Sequence, residues 1–126
     1  MNKILETLGR LFFSLPLVVM GLGHFSNPQA MAPMVPSYLP APLFWVYLVG
    51  VALFAAALSF NLRKHDRLAG LLTALMLVGF AVLIHLPGLR AAGNDMAKMM
   101  SMVNFFKDLG LAGGALLLAA ASKARA

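Results

Sequence analysis

The chain contains no cysteine. That excludes disulfides and thiolate metal sites, and leaves the redox compartment unreadable from cysteine usage. Charge is also scarce: 11% of residues are Asp, Glu, Lys or Arg, against roughly 25% in a soluble domain. Acidic residues are scarcer still, four against ten Lys and Arg. With 61% hydrophobic residues, the polar side chains are too few to cover a water-facing surface, so lipid must be part of the solvent. No flavin or iron–sulfur motif is present. The net charge of +6 would suit nucleic acid in a soluble protein. Here the basic residues gather at the ends of apolar runs, which is a membrane-orientation signal, and no nucleic-acid partner is expected.

What is there is four long apolar runs. Their cores cover about residues 8–25, 43–60, 68–86 and 99–121, each near the roughly 20 residues a helix needs to cross a bilayer. Pro28 is expected to stop the first, and Pro87-Gly88 the third. Pro16 removes a backbone donor inside the first and is expected to kink it. Lys3, Arg10 and the small-residue run Ala30-Met31-Ala32 have the outline of a signal peptide. Pro33 directly after that run is a poor start for a mature chain, so the first run is expected to be retained. The fold class expected is an all-α membrane protein, a single domain of four antiparallel transmembrane helices.

Counting Lys and Arg orients the bundle. Lys3, Arg10, Arg63, Lys64, Arg67, Lys123 and Arg125 fall on one side, and Arg90, Lys98 and Lys107 on the other. The positive-inside rule puts both termini and the Asn61–Arg67 loop in the cytoplasm. The connections Ser26–Pro42 and Pro87–Met102 then face outward, with Trp45 and Tyr47 at an outer aromatic belt.

Helical spacing collects the polar and small residues into stripes. On the first run the stripe is Arg10, Ser14, Leu17, Gly21 and His24, with Glu6 one turn before Arg10 and able to pair with it. On the second it is Tyr47, Gly50, Phe54 and Ala57. The third gives Gly70, Ala74, Leu77, Ala81 and His85, and the fourth Met100, Asn104, Lys107, Leu111 and Gly114, with Asp108 one position round. Up-and-down topology then brings His24, His85, Tyr47, Asn104, Lys107 and Asp108 to one depth near the outer interface. Charges at a membrane segment are costly and read as a functional site with a partner to find. The plainer readings are a helix-end His bonded to a carbonyl, and a lysine reaching for the headgroups. Glu6 and Arg10 are assigned to structure at the cytoplasmic end, and His65 to lipid contact in a basic loop.

Several segments resemble the DoxX-like family of small bacterial membrane proteins. They are an Arg in the first run followed by Gly21-Leu-Gly-His-Phe25; Leu39-Pro-Ala-Pro42; Tyr47-Leu-Val-Gly50; the basic loop 63–67 with Leu-Ala-Gly70; and His85. The most specific is Asn104-Phe-Phe-Lys-Asp-Leu-Gly-Leu-Ala-Gly-Gly114 leading into a Gly/Ala/Leu helix. The resemblance implies a multi-pass protein of the bacterial inner membrane, related by family to a subunit of a quinol-linked respiratory or thiosulfate:quinone oxidoreductase system, with other members tied to redox homeostasis. One feature departs from the family: Gly50 is followed by Val-Ala-Leu-Phe-Ala, without the acidic residue often found there.

Three functions are open at this point. The first is a redox-linked subunit binding a quinone-like or other amphipathic molecule. His24, His85, Asn104 and Lys107 would serve as donors, Asp108 as the partner of Lys107, and Phe25, Tyr47 and Phe105 as walls. Catalysis is left undecided; a redox partner subunit would have to supply any electron acceptor. The second is metal binding: bis-His haem through His24 and His85, or Cu(I) at Met31, Met34, Met96, Met99, Met100 and Met102. The third is a scaffold or assembly protein, packing as a homo-oligomer or on a partner through Gly110 and Gly114.

Overall fold

In the computed structural model, residues 2–122 are described; Lys123 and Arg125, counted above for orientation, lie outside them. α1 (Lys3–Ser26) starts where the Asn2 side chain accepts from the backbone N–H groups of Ile4 and Leu5, satisfying donors that a helix start leaves open. It runs unbroken through Pro16. α2 (Pro28–Met31) and a 3-10 turn (Ala32–Met34) follow. α3 (Pro42–Leu62) has Pro42 at its first position, where no N–H is needed. A three-residue link then turns the chain, with Arg63 and His65 both left-handed at φ 56°. α4 (Asp66–Phe80) passes into a π-helical segment (Ala81–His85) and then α5 (Leu86–Ala91). α6 (Asp95–Ala121) is capped by Asn94, whose side chain accepts from the Ala97 N–H. No strand occurs among the described residues.

Four stretches are long and apolar enough to cross a membrane: Lys3–Ser26, Pro42–Leu62, Asp66–Ala91 and Asp95–Ala121. The protein is thus an all-α, four-helix membrane protein, and the even number of crossings puts the start of α1 and the end of α6 on the same side. Large apolar side chains such as Phe12, Leu75 and Leu117 are about 70% exposed, as a surface facing lipid requires. Pro87 does not end the third crossing as expected. The turn before it widens, with the Leu86 N–H reaching back to Ala81 O. A π turn displaces the carbonyl that a proline ring would otherwise strike, so the helix continues to Ala91. The fourth crossing also begins earlier than its apolar core, at Asp95, which leaves only Ala92–Asn94 as the link from α5.

α1 packs chiefly on α3, and α4 on α6. The buried face of α1 is Arg10, Ser14, Leu17 and Gly21, the expected stripe. On α3 it is Val46, Gly50, Leu53, Ala57 and Phe60, one position round from the expected Tyr47 and Phe54. On α6 it is Asp108, Ala112, Ala115 and Ala119, so Asp108 belongs to the buried face and Lys107 to its edge. Small residues permit the closest approach. A Cβ added at Gly70 would meet Ala115 O at 2.6 Å and Ala119 Cβ at 2.9 Å, whereas one at Gly79 would meet nothing within 4 Å. Gly114 receives the Phe13 ring, and Gly110 faces open space. The two glycines expected to share one packing face are therefore divided: one is used inside the chain.

The end of the bundle nearest the Arg63–His65 link holds a compact ionic network. Arg10, 3% exposed, donates from Nη1 to Phe60 O at 2.8 Å, and its Nη1 lies 3.0 Å from Asp66 Oδ2. Its Nε and Nη2 reach Glu6 Oε1, each at 3.2 Å. Glu6 also pairs with Arg63, whose Nη2 donates to Thr7 Oγ1. Beside this, Asn61 Nδ2 donates to Ser14 Oγ and Ala57 O, both at 2.8 Å.

Two outcomes are expected. Gly70→Ala will lower the melting temperature in detergent by several degrees, because the obstacle is backbone, while Gly79→Ala will leave it unchanged or raise it by removing a helix-interior glycine. Arg10→Ala will destabilise by about 3–5 kcal/mol, the usual cost of stripping one partner from a buried pair. In a double-mutant cycle with Asp66→Ala, the double variant will lose much less than the sum of the singles.

Candidate functional site

At the opposite end, the four helices part around a cavity of about 370 Å³. Val19 and Met20 from α1, Val46 and Val49 from α3, and Phe80 and Ile84 from the third crossing form its apolar walls. The link between α1 and α3 folds over it, contributing Met31, Met34, Val35, Pro36 and Leu39. Trp45 lines it with the indole N–H already committed to Pro40 O at 2.8 Å. Five polar side chains reach the same space: His24, His85, Asn104, Lys107 and Asp108.

Local structure explains how they converge. His24 sits in the last turn of α1, where Nδ1 lies 2.7 Å from Met20 O. A carbonyl only accepts, so Nδ1 carries the proton and Nε2 of the neutral ring is left as an acceptor. His85 closes the π-helical segment. The extra residue in that turn rotates it toward α6, where its Nε2 lies 3.0 Å from Asp108 Oδ2. Asn104 and Lys107 are neighbours across one helical turn, and Lys107 Nζ donates to Asn104 Oδ1 at 3.3 Å. Lys107 Nζ also lies 3.7 Å from Asp108 Oδ1.

Asp108 is the centre of this group. It is 1% exposed. His85 and Lys107 face it as charge contacts, and neither carboxylate oxygen has a geometrically satisfied hydrogen bond among the described residues. A buried carboxylate in an apolar bundle is expensive to hold. Lys107, 38% exposed at its side chain, runs from Asp108 toward the surface, combining the expected pairing with the expected reach outward.

The other expected contacts fall elsewhere. Tyr47 does not line the cavity. It is 41% exposed and leans on Phe25, ring centroids 5.7 Å apart, because the buried face of α3 runs through Val46 and Gly50. Phe25 stacks on Phe54 at 5.5 Å, and Phe105 packs edge-on against Phe106. None of the three expected aromatic walls lines the cavity; Trp45, Phe80 and aliphatic residues do. The six methionines are split: Met31 and Met34 line the cavity, whereas Met96, Met99, Met100 and Met102 are exposed along α6. Among the described residues, no three His, Cys, Asp or Glu gather where they could hold a metal ion. His65 is exposed and borders a second cleft, about 340 Å³, lined mainly by alanines of α3 and by the face of α4.

Sequence reasoning passed over Asp66. Its signal was available: it extends the Gly70–Ala74–Leu77–Ala81–His85 stripe back by one turn.

Residues 13–100, more than two-thirds of the chain, match the profile of a protein family described as a domain of unknown function (DUF8561). The chain belongs to that family. No curated protein and no solved structure matches it. The matched region contains His24, His85 and the whole link over the cavity, while Asn104, Lys107 and Asp108 lie beyond it.

Proposed function

We propose that this chain is a DoxX-like protein of the bacterial inner membrane, with the Arg63–Arg67 loop in the cytoplasm, and that it binds a quinone-like amphipathic molecule in the outward cavity. The observation that carries this reading is a cavity of about 370 Å³ with mainly apolar walls, in which Lys107, Asp108 and His85 adjoin one another. That is the division an amphipath requires: apolar space for ring and tail, and a few polar groups to fix the head. Lys107 Nζ and the Asn104 amide would donate to ligand oxygens, while His24 Nε2 and Asp108 would accept from a hydroxyl where the head group carries one. The protein acts by binding. Any electrons exchanged with a bound quinone would pass to a redox partner subunit, since this sequence has no flavin or iron–sulfur motif.

Trp45 is the only tryptophan in the chain and lines the cavity, which makes it a built-in reporter. A decyl-substituted quinone added to detergent-purified protein will quench its fluorescence saturably, and His85→Ala and Lys107→Ala will each weaken the effect about tenfold or more. Quenching that is linear in quinone, or equal in all three proteins, overturns the reading.

A further inference from the structure

We infer that Asp108 makes the cavity selective for a ligand whose head group donates a hydrogen bond, a phenolic hydroxyl or an amine, over one that carries carbonyl oxygens alone. This deepens the proposed function and rests on it.

Asp108 is 1% exposed, lines the cavity, and has no hydrogen-bond partner at either oxygen. An ionised carboxylate only accepts. His24 Nε2 is a second acceptor on the same cavity, since Nδ1–H is held by Met20 O. On the other side of the ledger, Lys107 already gives one proton to Asn104, and the Trp45 N–H is taken by Pro40 O. Asp108 and His24 Nε2 are therefore open to a donor on a ligand. A head group bearing only carbonyls would leave Asp108 with its charge contacts alone, and sites built to bond a hydroxyl reject the analogue that lacks it. A head group with a hydroxyl meets Asp108 or His24 and still offers oxygen lone pairs to Lys107 and Asn104. A dihydroxy aromatic satisfies both sets at once. No bond is made or broken: the claim concerns binding alone.

Three probes with the same decyl tail separate the possibilities: a hydroquinone, its dimethyl ether, and the corresponding quinone. Each is titrated by calorimetry into the detergent-solubilised chain, anaerobically. The hydroquinone will bind about tenfold or more tightly than either of the others. In Asp108→Asn, whose amide donates as well as accepts, the preference will shrink toward parity and the quinone will gain. Equal binding of the three probes by the native chain overturns the inference and leaves the proposed function standing. A hydroquinone preference that Asp108→Asn leaves intact overturns the role of Asp108. Binding of none of them overturns both readings. Should Asp108→Asn fail to fold, the three-probe comparison on the native chain still decides the selectivity.

Discussion

The guanidinium of Arg10 joins three of the four crossings. From α1 it bonds the backbone carbonyl of Phe60 on α3 and faces the carboxylate of Asp66 at the start of α4. Glu6, one turn back, fills its remaining side and takes Arg63 as well. Arg10 and Asp66 are buried from water, so they bind each other and fix where the helices meet. A planar fork with several donors suits the task, because one side chain can serve acceptors on different helices. The network also bears on the turn beside it, where Arg63 and His65 adopt left-handed backbone without being glycine. A left-handed residue costs on the order of 1–2 kcal/mol, and the contacts of Arg63 with Glu6 and Thr7 help hold that short turn in place.

With three helices set from that end, the fourth is set by shape. α6 lies against α4 where Gly70 admits the backbone of Ala115, and Gly114 admits Phe13 from α1. Lipid chains are as apolar as leucine, so burial alone does not bring membrane helices together; close approach over small residues does. Towards the other end this contact gives way to larger groups. The π-helical turn swings His85 onto Asp108, and α1 and α3 stay apart from α4 and α6 enough to leave the cavity between them.

How much of this could be read in the sequence follows from which physical rule governed each part. The crossings were legible because a bilayer demands length and apolarity, and both are visible in a string of letters. The faces of α1 and of the third crossing were legible because an interior face collects small and polar residues at helical spacing. On α3 the same rule erred. The helix is apolar all round, and Tyr47, the most noticeable residue on it, belongs to its exposed side beside Phe25. On α6 the reading fell one position short, on Lys107 rather than Asp108, since one helix edge carries both. Pro87 was taken for a stop because sequence shows a missing N–H but not the widened turn that accommodates it. Five of the six expected site residues do meet at one cavity, yet which of them is buried without a hydrogen bond depends on the relative rotation of two helices, and no local pattern encodes that.

The two ends of the molecule spend their polar residues in opposite ways. At the Arg10 end, two acids meet two arginines, with a carbonyl and a hydroxyl beside them; Asp66 Oδ2 also lacks a hydrogen bond but lies 3.0 Å from the buried Arg10 guanidinium. At the His85 end, a single acid, the most deeply buried polar group among the described residues, has only charge contacts, and open space adjoins it. Stability alone would favour an alanine or leucine at position 108, as at Ala112, Ala115 and Ala119 below it on the same face. The carboxylate is held there at a cost, by an imidazole that reaches it only through an irregular turn and a lysine that must also reach the surface. An arrangement that is unfavourable for the empty bundle becomes favourable when a donor enters the cavity, and that difference is what gives a binding site its selectivity.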